Sequence, residues 1–258
     1  MDFISGLIYA LVGMFAGITS GLFGLGGGTT IVPSMMSLHI NVHHAIGISV
    51  IQMIFASIFG SILNYRKKLL RLHQGVFLGI GGLIGASFSG LILRVLSEIT
   101  LSSVFLALML FSFYQFIFKK KPQIDQTISV SPKKERFILV ITGIVVGVFA
   151  VSLGVGGGLL MVPILIRYLG YDTKQISVLS LFFIIWSSIS GSYSLFTHGV
   201  IDSEVIHIGL IIGVASMIGV GIGIWCIQKI PTIWHRRLLG IVYIVSISLT
   251  AWHLIQKI

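Results

Sequence analysis

Long apolar segments separated by short polar ones dominate this chain. Most of these segments are about 20 residues long, which is the length an α-helix needs to cross about 30 Å of hydrocarbon. Their residues do not alternate between apolar and polar, so the strands of a membrane barrel are not expected. The pattern predicts an all-α, polytopic integral membrane protein. The apolar runs cover residues 3–23, 29–38, 45–63, 76–96, 101–118, 137–153, 159–169, 176–197, 205–227 and 238–255.

Two of the runs, 29–38 and 159–169, have only about half the spanning length, and each follows a glycine cluster. The two clusters are nearly the same sequence, GLGGGTTIVP at 24–33 and GVGGGLLMVP at 154–163. Glycines followed by a proline do not continue a plain helix. We therefore predict that each short run is a half-helix that forms a hairpin with the helix before it. The predicted structural helix breaks are Gly24, Pro33, Gly154 and Pro163.

The repetition extends beyond the glycine clusters and indicates a duplicated chain. We divide it into a first membrane repeat (1–118), a polar linker loop (119–136) and a second membrane repeat (137–258). Each repeat contains one hairpin and three full spans, and an odd number of spans requires the second repeat to be inverted relative to the first. The equivalent positions include Gly13 and Gly143, Gly17 and Gly147, and Ser49 and Ser180.

The charges agree with this topology. Only 9% of the residues are charged, 55% are hydrophobic and the mean hydropathy is +1.05. The topology places 15 of the 17 Lys and Arg residues on one side. By the positive-inside rule, loops 65–74 and 119–136 are cytoplasmic and both termini lie outside, in the cell (inner) membrane. The net charge of +10 therefore indicates membrane orientation and no nucleic-acid partner.

The start of each half-helix is the candidate substrate site. A helix N-terminus carries unpaired N–H groups and a partial positive charge, and glycine lets a ligand touch the backbone. Two such N-termini, facing each other in inverted repeats, are suited to a small anion. The alternatives remain that the glycines only permit close helix packing and that the serines form bonds between helices. The predicted substrate-binding residues are Gly26, Gly27, Gly28, Thr29, Thr30, Ser49, Gly156, Gly157, Gly158 and Ser180.

Several other chemistries are disfavoured. All seven acidic residues lie in or beside loops, so a carboxylate-based cation site is not expected. The histidines show no metal-ligand spacing, and we expect no metal, no cofactor and no catalytic group. Gln52 is the most polar residue within a span, and we interpret it as a bond between helices. Its equivalent in the second repeat is Phe183.

The doubled GxGGGxxxxP motif, with a serine near the start of the next helix, resembles the TauE/SafE family of sulfite exporters. The resemblance covers nearly the whole chain and implies a sulfur oxyanion or organosulfonate as substrate, such as sulfite, thiosulfate or sulfoacetate. Members of this family often have Thr-Ser where this chain has Ile48-Ser49 and Leu179-Ser180.

We therefore predict a secondary transporter of small anions that works by alternating access, and not an enzyme. An anion channel on the same fold, or a transporter of a different small organic anion, is the alternative. A membrane scaffold or enzyme is a third reading. A proton or a cation could be the coupling ion. The sequence leaves open the direction of transport and the oligomeric state.

Overall fold

The protein is built from helices alone in the part of the chain that its computed structural model describes, residues 3–118, 131–230 and 232–257. The all-α class is therefore confirmed. The helices are α1 (Phe3–Phe23), α2 (Gly28–Ser37), α3 (Val42–Arg66), α4 (Leu72–Ala86), α5 (Ser89–Val95), α6 (Glu98–Phe118), α7 (Pro132–Ser152), α8 (Gly158–Leu169), α9 (Thr173–Thr197), α10 (Ser203–Lys229) and α11 (Thr232–Lys257).

The longest helices are suited to a bilayer. Among the described residues, six stretches are long and apolar enough to span a membrane. Large apolar side chains such as Leu11, Val214 and Ile218 are exposed on the outer faces of these helices. An aqueous surface would not leave so many of them in the open, whereas lipid accepts them. The six stretches are Ile4–Phe23, Val42–Arg66, Leu72–Val95, Pro132–Ser152, Thr173–Thr197 and Ser203–Ile227.

Both predicted half-helices are present as α2 and α8, and they begin at the predicted glycines, Gly28 and Gly158. The expectation that Pro33 and Pro163 break the helix needs correction, because both prolines lie inside their helices. A proline lacks an N–H group and frees the carbonyl four residues earlier. For Pro33 that carbonyl belongs to Thr29, and it accepts a hydrogen bond of 2.7 Å from the hydroxyl of Ser246 on α11. A distant helix therefore supplies the donor that Pro33 lacks.

The apolar run at 76–96, which the sequence predicts as one span, is interrupted between α4 and α5. Ser194 on α9 satisfies the interruption on both sides. Its hydroxyl donates to the carbonyl of Ser87 at 2.7 Å and accepts from the N–H group of Gly90 at 3.0 Å. A broken helix is tolerated in a membrane where protein groups replace the lost bonds. The rescuing serine is more than 100 residues away in sequence, so the run itself contains no sign of it.

The two repeats pack against each other in a reciprocal way. α1 lies along α10, with Gly13 against Ile212 and Gly17 against Ser216, so the two helices run parallel. The equivalent helix α7 lies along α4 in the same manner. α4 follows α3 through a short turn and runs opposite to it. Since α7 is parallel to α4, α7 also runs opposite to α3. These directions agree with inverted repeats.

A polar network joins the repeats at the end of the bundle where α4 begins. The carboxylate of Glu135 on α7 accepts hydrogen bonds from Gln74 at 2.8 Å and from the hydroxyl of Tyr171. Gln175 donates to the side-chain oxygen of Gln74 at 3.0 Å. Burial raises the pKa of Tyr171, and the hydrogen bond to Glu135 raises it further, so the hydroxyl stays protonated and remains a donor.

Residues 119–130 of the predicted linker lie outside the described residues. α7 begins at Pro132, within the predicted linker range 119–136. Proline is favoured in the first turn of a helix, where its missing N–H group has no partner to lose.

Candidate functional site

The two glycine clusters meet in the interior of the bundle. A Cβ atom built on Gly28 would collide with the carbonyl oxygen of Gly154, and one built on Gly158 would collide with that of Gly24. The backbones of the two loops are thus in direct contact. Gly26 and Gly156 both have positive φ angles, 78° and 83°, which place the chain in the left-handed region that glycine tolerates.

Two serines hold the loops together by a reciprocal pair of hydrogen bonds. The hydroxyl of Ser49 on α3 donates to the carbonyl of Gly154 at 2.8 Å. The hydroxyl of Ser180 on α9 donates to the carbonyl of Gly24, also at 2.8 Å. Each serine therefore donates its proton to the hairpin of the other repeat, and only its oxygen lone pairs remain for a ligand. Both serines therefore have a structural hydrogen bond, which runs from a helix to a loop and not between two helices.

The first turns of α2 and α8 retain unpaired donors. The backbone N–H groups of Gly28 and Thr29, and those of Gly158 and Leu159, have no hydrogen-bond acceptor among the residues that the structure describes. All four residues are buried. Unpaired N–H groups at a helix start concentrate about half a positive charge there. The site thus presents positive potential without a cationic side chain.

Thr29 and Thr30 differ in what their hydroxyls contact. The hydroxyl of Thr30 lies 3.2 Å from that of Thr19 on α1, which fixes the hairpin. The hydroxyl of Thr29 is buried, with 1% of the residue exposed, and has no partner within the described chain. Leu159 and Leu160 occupy the equivalent positions in the second repeat. Thr29 is therefore the threonine that is available to a ligand.

Gln52 is the residue that sequence reasoning misjudged. Its side chain is fully buried, and neither Nε2 nor Oε1 has a hydrogen-bond partner in the described part of the chain, so the predicted bond between helices is wrong. A Cβ atom built on Gly27 would stand 2.9 Å from Nε2 and 3.0 Å from Oε1. The carboxamide therefore contacts the residue that caps α2. One sequence signal was available, because an apolar equivalent in the other repeat means that the fold does not require a polar group there.

The same place in the second repeat is closed by an aromatic ring. Phe183 is fully buried, and its ring carbons would lie 2.6 Å from a Cβ atom on Gly157. Gly157 itself has a right-handed φ of −77°, whereas Gly27 has a φ of 81°. The two half-helix starts are thus equivalent in position but unequal in chemistry.

The surroundings of the site contain no full charge. No Asp, Glu, Lys or Arg is among the buried residues of the described segments. Within those segments, no group of three or more His, Cys, Asp or Glu residues could hold a metal ion. What the site offers is a set of neutral donors, and such donors bind an anion without requiring a buried counter-charge.

Comparison with known proteins gives consistent matches. The model of the family described as "Sulfite exporter TauE/SafE" matches residues 9–249. The chain is 27% identical over 224 residues to "Probable membrane transporter protein YdhB" of Bacillus subtilis, covering 84% of this chain and 88% of that one. It is 29% identical over 238 residues to "Probable membrane transporter protein MJ0441" of Methanocaldococcus jannaschii, covering 88% of this chain and 82% of that one. No solved structure gives a significant match.

Proposed function

Because the chain belongs to the TauE/SafE family of sulfite exporters, we propose that it is a secondary transporter of small sulfur oxyanions or organosulfonates. The observation that carries this proposal is the pair of buried half-helix starts. They contact each other, and each has unpaired backbone N–H groups. Anions are stabilised at such helix starts by the peptide dipoles. Broken helices of this kind form the substrate sites of many transporters.

In this proposal the anion binds at the starts of α2 and α8, beside the point where the two loops contact each other. The backbone of the glycine clusters and Thr29 supply donors, while Ser49 and Ser180 hold the two loops in place through their hydrogen bonds to Gly154 and Gly24. The proposed site residues are those predicted from the sequence: Gly26, Gly27, Gly28, Thr29, Thr30, Ser49, Gly156, Gly157, Gly158 and Ser180. The assignment is transport and not catalysis, and the family's membrane transporters support it.

Alternating access would follow from one group of helices rocking against the other. The reciprocal packing of α1 with α10 and of α7 with α4 supports inverted repeats. The chain has no nucleotide-binding motif, so an ion gradient could supply the energy. The basic loops support a topology in which the α3–α4 turn is cytoplasmic and both termini lie outside the cell membrane.

The test is exchange of labelled sulfite in proteoliposomes that contain the purified protein. We expect counterflow with the wild type, and its loss in Gly27→Val and in Gly157→Val. Valine is strained at the φ of 81° of Gly27, and at Gly157 it would strike the ring of Phe183. The matched control is Gly6→Val, since Gly6 has nothing within 4 Å of its Cβ position.

Three outcomes would contradict the proposal. A voltage-driven current without counterflow indicates an anion channel on the same fold. If the wild type shows no flux of sulfite, thiosulfate or sulfonates, the proposed transport of sulfur anions is wrong. If both glycine variants show normal counterflow, the proposed binding site is wrong.

A further inference from the structure

We propose that Gln52 is the residue that selects the substrate, and that the substrate is an anion which also carries a hydrogen-bond donor. This inference rests on the function proposed above and deepens it. The side chain of Gln52 discriminates between ligands, whereas the backbone of the glycine clusters attracts them.

The energetic state of Gln52 is the starting point. A buried polar group without a hydrogen-bond partner destabilises a folded protein, and Gln52 has two such atoms within the described chain. Native proteins rarely keep an unpaired carboxamide in their interior without a reason. Binding a ligand that pairs both atoms would remove this cost.

The position of the carboxamide connects it with the anion site. It lies against Gly27, the residue from which α2 starts. The unpaired N–H groups of Gly28 and Thr29 and the unpaired hydroxyl of Thr29 follow within one turn of helix. A ligand oxygen held at the start of α2 is therefore within reach of the side chain of Gln52.

The two polar atoms of a carboxamide require opposite hydrogen-bond partners. The amide nitrogen donates, and an anionic oxygen satisfies it. The amide oxygen accepts, and no fully deprotonated oxyanion can satisfy it. A ligand that carries an O–H or N–H group beside its anionic oxygens pairs both ends. Because both ends are unpaired, exchanging the amide oxygen and nitrogen leaves this requirement unchanged.

This selection belongs to the first repeat alone. At the equivalent position the ring of Phe183 lies against Gly157, and Leu159 replaces Thr29. Neither side chain has a polar atom to offer. The second repeat thus supplies backbone donors, while side-chain recognition comes from Gln52 and Thr29. A hydrogen sulfite ion in its O–H form, or a hydroxysulfonate, has the required chemistry.

The experiment compares sulfonates that differ only by a hydroxyl group. Methanesulfonate is paired with hydroxymethanesulfonate, and ethanesulfonate with 2-hydroxyethanesulfonate, as competitors of labelled sulfite exchange in proteoliposomes. For the wild type we expect the hydroxylated member of at least one pair to compete about tenfold better, because a buried acceptor then gains its donor.

The variants locate the selecting group. Gln52→Met keeps the length and burial of the side chain and removes both polar atoms, so it should bring the preference close to one. Gln175→Met makes the same change at a glutamine that donates to Gln74, away from the site, and should keep the preference. The preference is a ratio within one protein, so it does not depend on how much protein inserts.

The results separate this inference from the proposed function. If the wild type exchanges sulfite but discriminates neither pair, as it would if a bound water satisfied Gln52, the inference is overturned and transport stands. The same holds if Gln52→Met keeps the wild-type preference. If the wild type exchanges no sulfite and no sulfonate, the proposed function itself fails.

Discussion

Ser49 and Ser180 show how single residues hold the centre of the molecule. Each is fully buried, and each donates its hydroxyl proton to a glycine carbonyl of the other repeat. In both loops the accepting glycine has a positive φ, 68° at Gly24 and 61° at Gly154. A buried carbonyl that loses its donor is costly, which makes these two hydroxyls structural even if a ligand also contacts them.

At the residue scale we therefore expect Ser49→Ala and Ser180→Ala to destabilise the protein by about 1 to 3 kcal/mol each. The measurement is thermal unfolding in detergent. Ser37→Ala is the matched control, because Ser37 is exposed and its hydroxyl bonds only to Pro33 one turn earlier in the same helix. If the three variants unfold at the same temperature, the two serine hydrogen bonds between the repeats do not stabilise the protein.

Glycine has a different role at the scale of helices. Along α1, Cβ atoms built on Gly13, Gly17 and Gly21 would collide with backbone atoms of α10. In lipid no hydrophobic effect drives helices together, so close backbone contact through small residues contributes much of the attraction. α4 and α7 meet in the same way through Gly81, Gly85 and their partners.

The element-scale prediction compares two identical changes. Gly17→Ala would place a methyl group against the backbone carbonyl of Ser216, and we expect a loss of about 1 to 3 kcal/mol from overpacking. At Gly221, on α10, the Cβ position is 3.5 Å from one ring atom of Phe59, an ordinary contact. Gly221→Ala should be neutral or stabilising by up to about 1 kcal/mol, because alanine favours helix.

The readout is the temperature at which each purified variant loses its monodisperse peak in size-exclusion chromatography. A lower temperature for Gly17→Ala, without a lower temperature for Gly221→Ala, would support packing through the α1–α10 contact. Equal shifts would mean that helix propensity, and not the contact, controls the result.

The whole molecule combines these contacts into two reciprocal groups. α1 and α3 both pack along α10, and α7 and α9 both pack along α4. The connection between the groups includes α3 with α9 and the two glycine loops. The site lies at this junction, so a rocking of one group against the other would change the geometry of the site. Gln52 on α3 lies against Gly27, and Phe183 on α9 lies against Gly157.

The orientation of the whole molecule can be checked by thiol labelling. In a Cys226→Ser background, Lys67→Cys marks the turn after α3 and Glu204→Cys marks the start of α10; both positions are exposed. An impermeant thiol reagent added to intact cells should label the cysteine at 204. The cysteine at 67 should react only after permeabilisation, because the basic loops stay inside. Labelling of both from outside would contradict the proposed topology.

Sequence alone was sufficient for the features whose causes are local. Glycine and proline restrict the backbone wherever they stand, so the half-helices and their starts at Gly28 and Gly158 could be predicted within a residue. The length of the apolar runs gave the class of protein, because the thickness of the hydrocarbon is fixed. The absence of acidic residues within spans favoured an anion or a neutral solute as the ligand.

The tertiary structure decided the features that depend on partners far along the chain. Ser194 donates a hydrogen bond to the backbone at the α4–α5 interruption, and Ser246 donates one to the carbonyl that Pro33 leaves free. Ser49 and Ser180 each donate a hydrogen bond to the other repeat. Gln52 is the opposite case, since only a full account of its neighbours shows that it has no partner. Hydrogen bonding between distant segments depends on where the folded helices place each donor and acceptor, and a linear pattern does not contain that geometry.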